Sequence, residues 1–472
     1  MKTGISLAIF MLLASTSIQH SKEEWKSRSI YQLLTDRFQT DDGSAGSCDN
    51  LRKYCGGTWK GIESKLDYIK GMGFDAIWIS PIPENNGDNY HGYAALNWYK
   101  SNPHFGDDHS LQSLVNTAHS KGMWVMLDVV ANHVAQIDMA FDQVYPFNDA
   151  SHYHDKCEIS HWDNPQEVEY CRMANLPDLN QDNPWVRSQL LQWVKWAVSK
   201  FNFDGIRVDT VPHVKNQFWK EYAQAAGIFS IGEASNGQVS FIAQYANSGL
   251  DSTLNYPLYY VLRDVFNFKY SMYGLKTLVD TEQKLINDPY ALGNFIDNHD
   301  TARFLSVSHS QTLLKAALAF NFLSPGIPIL YYGTEQAFSG ENDPFCREPL
   351  WISKFNTTTD LYKYIGKLNA LRKQFQIWMK PHVERWIDDK FYAFSRGDVL
   401  VALSNDDTGI QTRLITYHPF KAGAKVCNIL WPTDCVVITS DNKLQVTLNY
   451  AEVKIFTLQS AIVDNLSLTL EY

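Results

Sequence analysis

Residues 205–213, GIRVDTVPH, are the stretch on which the fold turns. Ile206 and Val208 alternate with Arg207 and Asp209, the period of two that marks a strand with two different faces. If the charged face meets water, this is an edge strand carrying a surface ion pair. If it lines the mouth of a barrel, the same two residues are placed for chemistry. Pro212 follows at once and limits how far the strand can run, since proline gives a sheet no N–H. The neighbouring sequence has to decide.

Similar short apolar runs recur on both sides. Ala76–Ser80 and Trp124–Asp128 come before, and Phe229–Glu233, Gly293–Asp297 and Ile327–Tyr331 come after. Between them lie stretches of helical period, such as Trp185–Phe201, which sets Trp193, Trp196 and Ala197 on one face. Strands alternating with helices over some three-quarters of the chain call for a parallel sheet. Closed on itself, such a sheet is an α/β fold of the TIM (β/α)8 barrel type. The segment between the third of its strands and Gly205 is too long for a loop, and a subdomain is expected at about 134–180. From about Val383 the texture becomes plain alternation, as in Phe391–Ser395, Val399–Leu403, Leu444–Leu448 and Val453–Phe456. That pattern predicts a C-terminal antiparallel β-sandwich domain over 383–472, with the barrel over 20–382.

The whole chain limits what such a fold can do. Its 472 residues are 45% hydrophobic and 14% aromatic, which excludes a disordered or fibrous class and suits stacking on flat rings. A formal charge of −10 argues against a nucleic-acid partner. Lys2, the apolar run Ile5–Leu13 and the small residues Ala14–Ser17 have the layout of a cleavable signal over residues 1–19. That run is too short to cross a bilayer, and no later one reads as a membrane span. Seven cysteines fit an oxidising compartment. Their spacing predicts bridges Cys48–Cys55, Cys157–Cys171 and Cys427–Cys435, with Cys346 left over. Sequons at Asn356 and Asn465 agree with a glycoprotein of the secretory pathway. Secretion or display at the cell surface is expected, with retention in the endoplasmic reticulum left open, and the chain is expected to act as a monomer.

If the runs are barrel strands, their C-terminal ends open on one face. Asp128, Asn132, His133, Arg207, Asp209, Glu233, His299 and Asp300 then converge there. Any one of these acids could instead cap a helix. The habit repeated over four strand ends points to glycoside hydrolysis, in which one carboxylate attacks the anomeric carbon and another protonates the leaving oxygen. On this reading Arg207, on the same strand face as Asp209, holds Asp209 ionised as nucleophile. Glu233, facing Asp209 and Asp300, gains proton affinity from like charges and serves as the acid.

The segments DVVANH (128–133), NLPDLN (175–180), GIRVDTVPH, IGEASN (231–236) and FIDNHD (295–300) resemble the signature segments of the α-amylase family of glycoside hydrolases. Residues 56–81 and 342–351 are similar to those of its fungal secreted members in particular. The resemblance implies Asp209 as nucleophile, Glu233 as acid/base and Asp300 as the carboxylate that grips sugar hydroxyls. It implies Tyr93, His133, Arg207, His299, Asp343 and Arg347 as substrate contacts, with an α-glucan as the substrate. It also implies a structural Ca2+ held by Asn132, Glu169, Asp178 and the backbone oxygen of His213, a hard-oxygen set that suits this ion. Departures from the family pattern cluster around the site. Pro212 stands where a lysine is usual, Ala94 where a tryptophan is, Asn97 where an aspartate is, and Cys346 where an asparagine is. The leading expectation is therefore endo-acting, retaining hydrolysis of α-1,4-glucosidic bonds. Transfer of a glucan segment to a sugar acceptor, in cell-wall or spore polymer metabolism, is the alternative, and product length separates the two. A non-catalytic carbohydrate-binding relative would be expected to have lost one of the three acids.

Overall fold

The computed structural model describes residues 20–44, 46 and 48–462. The expected signal at 1–19 and the sequon at Asn465 lie outside them. Eight parallel strands form one sheet in ring order. They are β1 (Ile30–Gln32), β2 (Ala76–Ile79), β3 (Trp124–Val129), β4 (Gly205–Val208), β5 (Phe229–Gly232), β6 (Ser252–Thr253), β7 (Gly293–Asn294) and β8 (Ile327–Tyr331). β1 pairs with both β2 and β8. The parallel bridge Leu254↔Gly293 joins the β6 and β7 ends, so the ring closes into a TIM barrel.

Six of these strands follow the apolar runs of the sequence. β1 and β6 do not, because three- and two-residue strands are too short to show a period and are defined by their pairing. The run at 293–297 pairs only over its first two residues.

β4 answers the question its sequence poses. All four of its residues are buried. Ile206 and Val208 pack outward into the core between sheet and helices. The charged face is not solvated, since Arg207 is fully buried inside the ring. Gly205 sits at the closed end against Trp25, whose Cζ2 would lie 2.7 Å from an added Cβ, so only glycine fits. A separate interior cluster, including Ile30, Trp78, Met126, Ile231 and Ile329, fills the barrel.

The helix Pro184–Phe201 illustrates the outer layer. Asn183 caps it by accepting from the Trp185 N–H, Pro184 occupies its first turn, and Asn202 ends it in the left-handed region. Trp193 and Ala197 are buried on its inner face, while Trp185 stays exposed.

The segment after β3 is mostly irregular. It carries the Cys157–Cys171 disulfide and the short helix Pro165–Tyr170. The bridge His133↔Asp178 ties it back to the barrel mouth. The C-terminal part is antiparallel, with a six-stranded sheet and the pair Ile410–Ile415 with Leu444–Asn449. Phe391, Leu400, Phe456, Ile415 and Val446 fill the space between these two layers. The three predicted disulfides are present and Cys346 is free and buried. No helix among the described residues is long and apolar enough to cross a membrane.

Candidate active site

Arg207 is the hub of the barrel mouth. Its Nη1 lies 2.9 Å from Asp128 Oδ1 and 2.7 Å from Asp209 Oδ1, and its Nη2 lies 3.0 Å from Glu233 Oε2. These carboxylates stand at the ends of three successive strands, β3, β4 and β5. Beyond Asp209 the chain turns sharply, with Thr210 at φ 48°. That left-handed backbone is costly for a β-branched residue. It presents the Thr210 N–H to Glu233 Oε2 at 3.1 Å. The Tyr256 hydroxyl donates to Glu233 Oε1 at 3.0 Å, so both carboxylate oxygens of Glu233 are held.

A second network stands beside it. The Tyr93 hydroxyl donates to Asp128 Oδ2 at 2.7 Å and lies 2.8 Å from His299 Nε2. The Gln32 amide nitrogen is 2.7 Å from His299 Nδ1, which leaves the imidazole proton on Nε2, 3.1 Å from Asp300 Oδ2. Arg347 completes this side. It reaches Asp300 Oδ1 at 3.1 Å and Asp343 Oδ1 at 3.0 Å, and its Nε donates to the His299 carbonyl at 2.7 Å. Cys346 Sγ is 3.3 Å from the same carbonyl. His133 Nε2 is 3.1 Å from the Tyr93 carbonyl.

Tyr93, His133, Asp209, Glu233, His299 and Asp300 line one cavity of about 660 Å³. Tyr93 also borders a second hollow of about 280 Å³, which Asp343 and Arg347 line. Eight of the nine positions named for chemistry and sugar contact therefore line these two hollows, which share Tyr93, and the ninth, Arg207, is buried behind Asp209 and Glu233. Asp128 stood among the strand-end acids without a role, yet it shares Arg207. Gln32, Trp78, which donates to Asp128 at 3.0 Å, and Tyr256 were not foreseen. Nothing local in the sequence marks them, because each reaches the site from a different strand or helix.

The electrostatics depart from expectation in one respect. Arg207 does not single out Asp209, since it donates to Asp128 and Asp209 and forms an ion pair with Glu233 as well. Burial pushes the Asp209 carboxyl well above the usual range; Arg207 pulls it down, and Glu233 and Asp128 push it up again. Burial likewise raises Asp128 to about 6 against the pull of Arg207. One guanidinium faces three carboxylates, so like-charge repulsion among them opposes ionisation of all three. Burial drives His299 well below its ordinary value and His133 down to about 4. Both rings are thus neutral hydrogen-bonding groups at neutral pH.

The positions named for a metal fall differently. The Asn132 side-chain amide meets Asp178 Oδ2 at 2.9 Å and the His213 carbonyl at 3.0 Å. Asp178 Oδ1 is 2.7 Å from His154 Nδ1. Glu169 does not bond to this trio. It lines an adjoining cavity of about 90 Å³ with His154, Asp182 and Lys215. Among the described residues no cluster of three or more His, Cys, Asp or Glu side chains forms. A cation here would therefore rest largely on neutral oxygens.

Comparison with known proteins meets this geometry at the family level. The model of the alpha-amylase catalytic domain matches residues 32–363. This chain belongs to the alpha-amylase family. It is 36% identical over 457 residues to an alpha-amylase of Saccharomycopsis fibuligera, covering 92% of each chain. It is 43% identical over 376 residues to alpha-amylase 2 of Schizosaccharomyces pombe, covering 76% of this chain and 65% of that protein. Among solved structures, an alpha-amylase from Malbranchea cinnamomea superposes with a TM-score of 0.90 at 38% identity, covering 94% of this chain and 99% of that one. As a member of the alpha-amylase family the chain is a glycoside hydrolase, and its three disulfides accord with an oxidising compartment.

Proposed function

We propose that this alpha-amylase relative cleaves internal α-1,4-glucosidic bonds of an α-glucan with retention of configuration, after entry into the secretory pathway. The observation that carries the reading is the single buried guanidinium of Arg207 on both Asp209 and Glu233, at the ends of adjacent strands and facing one cavity. Ionised Asp209 attacks the anomeric carbon while Glu233, protonated, gives its proton to the departing glycosidic oxygen. The glycosyl-Asp209 ester then forms. Glu233, now a carboxylate, takes a proton from water, which attacks the same carbon and frees Asp209. Asp300, held by Arg347 and His299, accepts hydroxyl hydrogen bonds from the distorted sugar. Tyr93 offers its ring as a floor for that sugar, and His133 bounds it.

The Asn132, Asp178 and His213 oxygens fit a calcium ion. Asn132, as its amide stands, turns oxygen toward two other oxygens, which is stable only around a cation or with the amide reversed. Glu169 would complete the set from the inserted segment. Bound calcium would fasten that segment to the barrel mouth.

Maltooligosaccharide digests followed by NMR of the new reducing ends test the reaction. Shorter products that appear first as the α-anomer are expected. Asp209→Asn and Glu233→Gln should each lose about 10³-fold or more in kcat. First products as the β-anomer, or full activity in either variant, would overturn the assignment.

One observation favours transfer to a sugar as a second reading. The cavity lining that includes Pro212 also carries Trp162, Val168, Met173, Leu176, Phe241 and Tyr260, beside the polar Ser235 and Asn236. A wall of this kind suits a stacked sugar better than a positioned water. Products longer than the starting oligosaccharide would establish it.

A further inference from the structure

We propose that the cleft between the barrel wall and the C-terminal sheet, flanked by Trp431 and Tyr450, is a second binding site for an α-glucan chain, remote from the catalytic cavity. The choice of ligand rests on the substrate class proposed above. The cleft has a volume of about 600 Å³, close to that of the catalytic cavity, and no residue lines both.

Trp431 and Tyr450 are 66% and 56% exposed. Among the described residues neither ring packs on another aromatic ring. Both are held by rigid backbone. Trp431 opens a strand whose hairpin partner is bridged to it by Cys427–Cys435. Tyr450 sits at φ 52° and Ala451 at φ 60°, with the Tyr450 N–H donating to the Gly409 carbonyl at 2.9 Å. A left-handed turn is costly for a bulky residue, and glycine or asparagine would satisfy it with less strain. A large aromatic kept there, with its ring in solvent, is a platform rather than packing.

The polar lining is mixed in sign. Lys363 and Lys367 come from the barrel helix Asp360–Gln374, and Asn449 and Glu452 from the turn that carries Tyr450. Lys315 is paired with Asp360. Donors and acceptors are thus both present and the lysines are partly balanced. That suits a neutral polyhydroxyl chain, whose sugar faces stack on aromatic rings and whose hydroxyls both give and accept hydrogen bonds, over a polyanion.

The test uses the full chain in a Glu233→Gln background, which halts turnover. Its migration through gels containing amylopectin is compared with that of added Trp431→Ala, Tyr450→Ala and double variants. Each ring removed should weaken retention by about fivefold, within the range of aromatic stacking contributions. In the active background the same variants should keep kcat/KM on maltotriose within about twofold, which also reports that they are folded. Loss of kcat/KM on amylopectin should accompany loss of retention. Unchanged retention in a double variant that still turns over maltotriose would overturn the second site. Failure of the catalytic reading would instead appear as absence of maltooligosaccharide turnover by the unmodified chain.

Discussion

Pro212 shows how one residue can leave the chemistry intact and alter its surroundings. It is the second residue of the short 3-10 turn Val211–His213, half-buried on the cavity wall, and its ring holds a φ that the turn accepts. The backbone on either side is held without it, by the Val211 N–H on the Glu233 carbonyl and the His213 N–H on the Thr210 carbonyl, both at 3.0 Å. A lysine there would add a charge-assisted hydrogen bond to sugar, worth roughly 1.5–3 kcal/mol if desolvated and less at a half-open position. Pro212→Lys should therefore raise kcat/KM on soluble starch by about threefold to tenfold, with calcium affinity little changed. An unchanged or lower value, measured on folded protein, would mean that this wall serves another acceptor. At this scale the sequence was legible wherever a residue is defined by its own strand. Asp209 and Glu233 were readable from position and neighbours. Tyr256 was not, because its hydroxyl reaches Glu233 from a helix that only tertiary packing brings near.

At the scale of elements, the helix Tyr273–Leu285 carries a buried acid that its sequence pattern conceals. Glu282 is 2% exposed, and its Oε1 accepts from the Asn255 Nδ2 at 2.8 Å. Asn255 in turn donates to Asn294 Oδ1 at 3.0 Å, so the acid supports the junction of β6 and β7. Burial pushes its carboxyl up to about 8, against the pull of Asn255. The folded chain therefore holds this proton over a range in which the unfolded chain has released it. Stability falls as pH rises from the unfolded value near 4.5 toward 8. Glu282→Gln keeps the acceptor and carries no titrating proton. Its Tm should be flatter than that of the unmodified chain between about pH 5 and 8, and higher at pH 8. Parallel Tm curves for the two proteins would refute this. The same region shows why β1 and β6 escaped the sequence reading. A strand of two or three residues has no period to detect, and the closing bridge Leu254↔Gly293 depends on partners some forty residues apart.

For the whole molecule, the C-terminal sheet is fastened to the barrel by a shared apolar core, in which Phe394, Val401 and Ile455 join the barrel helices, and by buried hydrogen bonds. Arg396 of the sheet is fully buried and donates to the Leu323 carbonyl at 2.6 Å and the Ile377 carbonyl at 2.7 Å. The inserted segment has its disulfide and, on the reading above, calcium. Removal of calcium with a chelator should lower Tm by on the order of 5 °C, reversed by added calcium. Asp178→Asn should remove that response. A melting curve indifferent to chelation would exclude the ion. The sequence by itself determined the barrel class, the sheet that follows, the three disulfide pairs and the acids at the strand ends, because strand and helix periods and short cysteine spacings are local properties. Only the tertiary structure decided that Arg207 serves three carboxylates rather than one, that Glu169 stands apart from Asn132, Asp178 and His213, and that Trp431 and Tyr450 flank a cleft. Those facts depend on distances between segments far apart in the chain, and they are set by how the ring closes and what packs against it.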